Sequence, residues 1–216
     1  MSGRSEEMLV ALKAIALNCS LKRRDGETSS TDKMIGLLVG ELRKHGVELT
    51  ETIRVVDHDI KPGVTSDEGD GDAWPDIRRR ILNADILIFG TPIWLGQMTS
   101  VAKRVLERMD AFLSETDERG RMPSFGKVAV AAIVGNEDGA HHITATLFQA
   151  LNDVGWTIPA GASNYWVGEA MHKTDFKDLK AVPDPVAQGA AMLASNAAHL
   201  ATLLKQGAYP GVSQET

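Results

Sequence analysis

The first group of residues that could do chemistry follows the first apolar segment of the chain. Hydroxyl side chains stand at Ser20, Ser29, Ser30 and Thr31, and Lys22 adds a positive charge. Hydroxyl groups, together with the unpaired backbone N–H groups of a helix start, can hold a dianionic phosphate. The alternative is an exposed loop with an ordinary Ser or Thr helix cap. The loop alone favours neither interpretation.

Two nucleotide-binding motifs are missing from this part of the sequence. No G-x-x-x-x-G-K-[ST] segment occurs, and no G-x-G-x-x-G segment follows the first apolar run. A P-loop NTPase and a dinucleotide-binding Rossmann site are therefore disfavoured. A phosphate loop without either motif indicates a mononucleotide that carries a terminal phosphate.

A second loop, residues 91–99, combines a stiff residue, a flexible residue and an aromatic side chain. Pro92 restricts the backbone, Gly96 permits a positive φ, and Trp94 lies between them. Trp94 could pack against a flat heteroaromatic ring. The alternative is that it only covers the end of a sheet.

A third loop begins at Gly135 and contains polar residues and a second glycine, Gly139. Backbone N–H and C=O groups in such a loop can bind the polar edge of a ring. The alternative is a helix start that Asp138 caps. His141 and His142 follow, but adjacent helical residues point about 100° apart and do not chelate one metal ion together. We predict no metal site.

Composition limits the class of protein. The chain has 216 residues, the length of one domain, and its 23 basic and 29 acidic residues give a net charge of −6. No basic surplus exists to neutralise nucleic-acid phosphates. The single cysteine, Cys19, excludes an internal disulfide framework and a multi-cysteine metal cluster within one chain.

Targeting signals are also missing from the expected places. The apolar stretch 8–17 follows Glu6 and Glu7 and is interrupted by Lys13, unlike a secretory signal peptide. No run reaches the roughly 18–20 apolar residues that span a bilayer. We therefore expect a cytoplasmic protein that binds neither nucleic acid nor membranes.

Short apolar runs alternate with helical patterns along the chain. Strands are predicted over residues 11–18, 50–57, 85–90 and 127–135, with a fifth beginning at 156–158. Helices are predicted over residues 29–45, 75–83, 100–113, 143–154 and 183–206. This alternation predicts a parallel α/β sheet with helices on both faces, in one domain of residues 1–206 with a flexible tail, 207–216. Ligands of such sheets bind beyond the carboxyl ends of the strands, where the three loops lie.

Taken together, the loops resemble those of the flavodoxin-like NAD(P)H-dependent FMN reductase family, which includes quinone-, azo- and chromate-reducing relatives. The resemblance runs over about residues 14–167. Its most specific part is the segment Thr91-Pro92-Ile93-Trp94-Leu95-Gly96-Gln97-Met98, which is close to the family's Thr-Pro-x-Tyr-x-Gly pattern. The first loop looks like the family's Gly-Ser-x-Arg…Asn-Thr phosphate loop, with Lys22 or Arg23 in the basic place. The resemblance implies a doubly wound, five-stranded parallel sheet of order 2-1-3-4-5.

The resemblance also implies a cofactor and the residues that bind it. The FMN phosphate would contact Ser20, Lys22, Ser29, Ser30 and Thr31. The isoalloxazine ring would be lined by Thr91, Pro92, Ile93, Trp94, Leu95, Gly96 and Gln97. The pyrimidine edge of the ring would meet Gly135, Asn136, Glu137, Asp138 and Gly139.

The implied activity passes electrons from NADPH or NADH through FMN to a small acceptor such as a quinone or free flavin, in a ping-pong sequence. The flavin supplies the chemistry, so we assign no catalytic side chain. Family members are commonly dimers or tetramers, and we expect a homo-dimer or a homo-tetramer.

Other interpretations remain open at this point. The chain could be a flavodoxin-type electron carrier, or a flavin-binding protein without its own NAD(P)H turnover. A low-molecular-weight tyrosine phosphatase is disfavoured because its Cys-x5-Arg motif would place arginine where Asp25 stands. Four residues could contact NAD(P)H or simply lie on the surface: Arg23, Arg24, His141 and His142. Four aromatic residues could form an interface, a lid or core: Trp74, Trp156, Tyr165 and Trp166.

The first prediction concerns the choice between flavin nucleotides. We expect the protein to bind FMN more tightly than FAD, because a loop that binds a terminal phosphate leaves little room for an adenylate extension. Competitive titration of the apoprotein with the two flavins measures this preference. Tighter binding of FAD would contradict the prediction.

Overall fold

The computed structural model describes residues 11–24, 27–170 and 172–212. Within these residues the strands are β1 (Leu12–Asn18), β2 (Val47–Arg54), β3 (Ile86–Pro92), β4 (Val128–Gly135) and β5 (Ser163–Val167). The long helices are α1 (Ser30–Lys44), α2 (Trp74–Leu82), α3 (Ser100–Met109), α4 (Ala140–Asp153) and α5 (Asp184–Gln206). All neighbouring strands pair in parallel, and their order is β2-β1-β3-β4-β5. The predicted flavodoxin-like sheet order is confirmed.

Each face of the sheet carries its own hydrophobic core. Helices α1 and α5 pack on one face, where Met34, Leu38 and Leu193 are buried. Helices α2, α3 and α4 pack on the other face, where Trp74 and Trp156 are buried as well. Burial on both sides explains why β3 and β4 are continuously apolar rather than alternating.

Several element boundaries differ from the predicted ones. Strand β2 starts at Val47 and ends at Arg54, and residues 55–57 form a 3₁₀ turn instead of continuing the strand. Strand β3 extends to Pro92, and α4 begins at Ala140 rather than at residue 143.

The predicted start of the fifth strand is wrong. Residues 156–158 contribute only an isolated bridge between Thr157 and Val128, and the strand itself is Ser163–Val167. Pro159 and Gly161 lie between the two segments, and Gly161 has a φ of 65°, so the backbone turns before the strand begins. The apolar residue Trp156, which suggested a strand, fills the core instead.

The predicted tail, residues 207–216, is described as far as residue 212. Tyr209 packs edge-on against Phe125 with ring centroids 5.7 Å apart, and its hydroxyl lies 3.1 Å from that of Thr157. Val212 N–H donates to the Arg119 carbonyl. Residues 213–216 lie outside the described part of the chain.

Across the described residues, no helix combines the length and the hydropathy that a membrane crossing requires.

A close approach at Gly90 sets the position of α1 over the sheet. A Cβ at this residue would lie 2.8 Å from Ile35 Cδ1, 2.9 Å from Thr31 Cγ2 and 3.0 Å from the Leu17 carbonyl oxygen. Thr31 belongs to the first turn of α1, so the absence of a side chain at Gly90 lets this turn sit directly against β3.

We expect Gly90→Ala to lower the free energy of unfolding by about 1–3 kcal/mol, because an extra methyl group in a filled core forces its neighbours to shift. Urea denaturation measures the change. Gly36→Ala is the matched control: Gly36 lies within α1, its Cβ would meet nothing within 4 Å, and a gain of up to ~1 kcal/mol is expected. Equal stability of Gly90→Ala and wild type would show that the close approach is not a packing constraint.

Candidate functional site

A cleft of about 510 Å³ opens at the carboxyl ends of β1, β3 and β4. Its volume lies within the range usual for small-molecule sites. The cleft brings together predicted site residues from all three loops: Ser20, Lys22, Ser29, Ser30, Thr31, Pro92, Ile93, Trp94, Gly135, Asn136 and Glu137.

The remaining predicted site residues do not line this cleft: Thr91, Leu95, Gly96, Gln97, Asp138 and Gly139. Thr91 is completely buried, and its hydroxyl accepts a hydrogen bond from Thr99 N–H and donates one to the Pro92 carbonyl. Thr99 is the N-cap of α3, so Thr91 joins the end of β3 to the start of that helix.

The second loop contains a two-residue hairpin turn. Trp94 and Gln97 exchange backbone hydrogen bonds of 2.9 Å in each direction. Leu95 and Gly96, the two residues between them, have φ values of 53° and 72°, as a type I′ turn requires. A non-glycine residue rarely adopts this conformation, and such strained residues cluster at functional sites.

The hairpin is bound to the third loop. Leu95 N–H donates to Glu137 Oε1 at 2.9 Å, and Gln97 Oε1 lies 3.0 Å from His142 Nε2. A Cβ at Gly139 would lie only 2.7 Å from Gly96 Cα. Gly139, with a φ of 138°, is the N-cap of α4. Asp138 therefore does not cap that helix, and the two glycines serve the close packing of the two loops.

Hydrogen bonds and an ion pair to the carboxylate of Asp32, in the first turn of α1, hold the first loop in place. Ser29 is the N-cap of α1 and forms a capping box with Asp32. Asn18 Nδ2, at the end of β1, donates to Asp32 Oδ1 at 2.6 Å. Arg54, at the end of β2, pairs with Asp32 through Nη2 and donates through Nη1 to the Lys22 carbonyl at 2.7 Å. One carboxylate thus connects two strand ends, a helix start and the loop.

The charge state of Asp32 follows from these contacts. Burial by itself raises the pKa of its carboxyl group, but hydrogen bonds from Ser29 and Asn18 and the charge of Arg54 outweigh the burial. The pKa therefore lies below its usual value, so Asp32 is ionised at neutral pH and neutralises the guanidinium of Arg54, which is only 3% exposed.

Ser20 has an unused hydrogen-bonding group at the cleft. The residue is 5% exposed, and its Oγ has no hydrogen-bond partner among the described residues. An unpaired buried hydroxyl is costly and needs an explanation. A phosphate oxygen beside Ser20, Ser30 and Thr31 would provide the missing partner, so the donors at this end of the cleft fit a phosphorylated ligand.

Aromatic and apolar side chains form the rest of the cleft. Trp94 is 55% exposed and stands on the hairpin at one side. Trp166 and Phe176 also line the cleft, and their ring centroids are 5.5 Å apart. A flat heteroaromatic ring would find apolar partners in this region.

The segment that follows β5 forms a wall of the cleft that the sequence analysis missed. The cleft residues outside the predicted set are Leu21, Val134, Trp166, Ala170, His172, Asp175, Phe176 and Lys177. The error has one main cause: the fifth strand was expected too early. Placed at Ser163–Val167, it ends at the same edge of the sheet as β4, and the residues after it would have been expected in the site.

Two further features concern the Cys19 thiol and the possible metal-ligating side chains. Cys19 is fully buried, and burial raises the pKa of its thiol well above the usual value, so the thiol stays protonated. No group of three or more His, Cys, Asp or Glu side chains in the described ranges is placed to hold a metal ion.

Comparison with known proteins identifies the family. The sequence profile described as "NADPH-dependent FMN reductase" matches residues 12–171, about three quarters of the chain. The chain belongs to the NADPH-dependent FMN reductase family. The predicted family and the predicted cofactor FMN are thereby confirmed, and the family's description implies NADPH as the electron donor.

Two curated relatives are similar in sequence to this FMN reductase family member. A protein of Mycobacterium bovis described as "Divalent metal cation transporter MntH" is 42% identical over 163 residues, which are 74% of this chain and 24% of that protein. The "8-demethyl-8-aminoriboflavin-5'-phosphate synthase" of Streptomyces davaonensis is 38% identical over 170 residues, 74% of this chain and 65% of that protein. The chain thus spans less than two thirds of either relative.

A solved structure is similar over nearly the whole fold. It is described as RosB with the bound intermediate 8-demethyl-8-formylriboflavin-5'-phosphate, and it is 32% identical with a TM-score of 0.81. The similarity covers 93% of this chain and 82% of that one.

We expect Arg54→Met to loosen the first loop. Breaking a buried ion pair costs about 3–5 kcal/mol when both partners are buried, and we expect about 1–3 kcal/mol here because the Asp32 side chain is 24% exposed. We also expect FMN affinity to fall, because the Lys22 carbonyl loses its donor and the negative charge of Asp32 is no longer neutralised. Urea denaturation and FMN titration measure the two effects.

Arg43→Met, on the exposed surface of α1, is the control and should change neither quantity. Because the pKa of Asp32 is lowered in the folded state, the pair stabilises the protein above the unfolded pKa of about 3.9. This stabilisation is lost as the pH falls through the folded pKa. The stability difference between wild type and Arg54→Met should therefore shrink in acid, and a constant difference would refute the role of the pair.

Proposed function

We propose that this protein passes electrons from NADPH or NADH through bound FMN to a small acceptor such as a quinone or free flavin. One observation carries the proposal: the cleft joins the buried Ser20 hydroxyl after β1, which has no hydrogen-bond partner among the described residues, to an exposed Trp94 on a preformed hairpin. The first feature suits a terminal phosphate, and the second suits the side of a flat ring.

Different residues of the cleft would bind different parts of FMN. Ser20, Ser30 and Thr31, with the positive charge of Lys22, would bind the 5′-phosphate. Pro92, Ile93 and Trp94 would lie beside the isoalloxazine, and Asn136 and Glu137 would meet its polar edge. The bound flavin supplies the transfer of hydride and electrons, for which no protein side chain is a substitute.

The chain's own groups bind and orient rather than donate protons. Glu137 accepts a hydrogen bond from Leu95 N–H, and Asp175 accepts one from Asn136 Nδ2 at 2.9 Å. Among the described residues, both carboxylates that line the cleft are therefore engaged in holding its walls. This arrangement favours a mechanism in which no side chain is an obligatory acid or nucleophile.

The shape of the cleft supports alternating substrates. Trp166 and Phe176 would cover part of a bound ring, and the exposed Trp94 would stand beside the side that stays open. Donor and acceptor would each have to come within about 3–3.5 Å of the ring from this open side, so they exclude each other. The proposal includes a homo-dimer or homo-tetramer that acts in the cytoplasm on small molecules, not on nucleic acid or membranes.

A second candidate function treats FMN as the substrate instead of the cofactor. It rests on the similarity to the Streptomyces davaonensis synthase, whose name describes an aminated flavin phosphate, and to the RosB structure with its bound flavin phosphate. Both functions need the same cleft, but only the second changes the flavin itself.

We expect initial-rate lines for NADPH oxidation, measured at several fixed quinone concentrations, to be parallel. Parallel lines follow from a shared open side, because the oxidised donor must leave before the acceptor binds. Intersecting lines would mean that both substrates are bound together and would contradict the shared-side mechanism.

The same assay separates the alternatives. A flavodoxin-type carrier would oxidise little NADPH with a free quinone, and a protein that uses FMN as substrate would release a flavin of altered mass. Mass spectrometry of the flavin after turnover therefore accompanies the rate measurement, and unaltered FMN with sustained NADPH oxidation is the expected result.

A further inference from the structure

The wall after β5 lies beyond the part of the chain that matches the family. The match ends at residue 171, whereas His172, Asp175, Phe176 and Lys177 line the cleft. This chain therefore completes its cleft with residues that the family profile does not include.

Backbone contacts fix the position of Lys177 beside the start of α1. Its N–H donates to Ser30 Oγ at 3.2 Å. Lys33 Nζ, one turn further along α1, donates to the Lys177 carbonyl at 3.2 Å and to the Leu179 carbonyl at 2.9 Å. Phe176 is buried, and Lys33 Nζ lies 5.3 Å from the centre of its ring. The wall is thus attached to the turn that carries the predicted phosphate-binding hydroxyls.

The other end of the wall is attached to the third loop. Asp175 Oδ1 accepts a hydrogen bond from Asn136 Nδ2 at 2.9 Å. The segment is therefore held on two sides of the cleft, and the backbone at Lys177 does not depend on its own side chain for its position.

The Lys177 side chain adds a partly desolvated charge to the phosphate end. It is 27% exposed and lines the cleft, and its Nζ lies 3.8 Å from Glu27 Oε2, a loose pair because that side chain is 74% exposed. Lys22, the cation predicted from the sequence, is exposed to solvent. A charge that is partly removed from water interacts more strongly with an anion than an exposed charge does.

We propose that Lys177 contributes a second positive charge to the 5′-phosphate of the flavin, and that the wall thereby makes the site select phosphorylated over unphosphorylated flavin. The inference rests on the proposed function only in that FMN occupies the cleft. The phosphate carries up to two negative charges, and Lys22 and Lys177 would each bring one positive charge towards it. Ser20, Ser30 and Thr31 supply directional hydrogen bonds, which a lysine does not replace.

The test compares FMN with riboflavin, which lacks the phosphate. Apoprotein is titrated with each flavin, and the quenching of flavin fluorescence gives the dissociation constants for wild type, Lys177→Met and Lys173→Met. We expect Lys177→Met to weaken FMN binding by at least ~10-fold, as for the loss of a hydrogen bond to a charged group, with the riboflavin constant unchanged within ~2-fold. Lys173→Met, an exposed lysine of the same segment that does not line the cleft, should bind both flavins as wild type does.

Each other result overturns a specific claim. Equal weakening of FMN and riboflavin by Lys177→Met would make Lys177 a support of the wall and not a phosphate ligand. Unchanged FMN binding would show that its charge does not reach the phosphate. If wild type itself fails to prefer FMN over riboflavin, the placement of the phosphate in this cleft is wrong, and the proposed function fails with it. Thermal melting of each variant shows that the fold is intact.

Discussion

The ion pair between Asp32 and Arg54 is the interaction on which the site depends. Arg54 ends β2, Asn18 ends β1, and Asp32 belongs to the first turn of α1, so one carboxylate fixes three elements relative to one another. The pair also solves an electrostatic problem. A carboxylate beside the proposed phosphate site would by itself repel the ligand, but the buried Arg54 guanidinium neutralises this carboxylate and at the same time donates to the Lys22 carbonyl. The loop can then present Ser20 to the cleft.

The second and third loops are held together by close backbone packing and by one carboxylate. Gly96 and Gly139 allow the second and third loops to touch at main-chain distance, and the Glu137 carboxylate holds Leu95 in its left-handed conformation. Trp94 therefore stands on a hairpin that is formed before any ligand binds. Sites whose walls are held in this way lose little ordering entropy on binding, which favours affinity.

Much of this arrangement could be predicted from the sequence. The alternation of apolar runs and helical patterns predicts the layers, and the Thr-Pro-x-Trp-x-Gly segment at Thr91 indicates the family. The sequence could not show which residues of the three loops line the cleft and which only hold the loops in place. Gly96 and Gly139 belong to the right loops, yet only the structure shows that they pack against each other. Arg54 pairs with Asp32, which lies 22 residues away in the sequence, and no local sequence pattern indicates such a pair. The wall at residues 172–177 has no sequence motif. Predicting it requires the correct end of the fifth strand, and the apolar Trp156 suggested that this strand begins too early in the sequence.

A crystal structure of the protein with FMN would show directly whether the Ser20 hydroxyl binds the flavin phosphate. We expect a phosphate oxygen to accept a hydrogen bond from Ser20 Oγ, with the isoalloxazine beside Pro92 and Trp94. A flavin bound elsewhere, or one whose phosphate leaves the Ser20 hydroxyl unpaired, would contradict it.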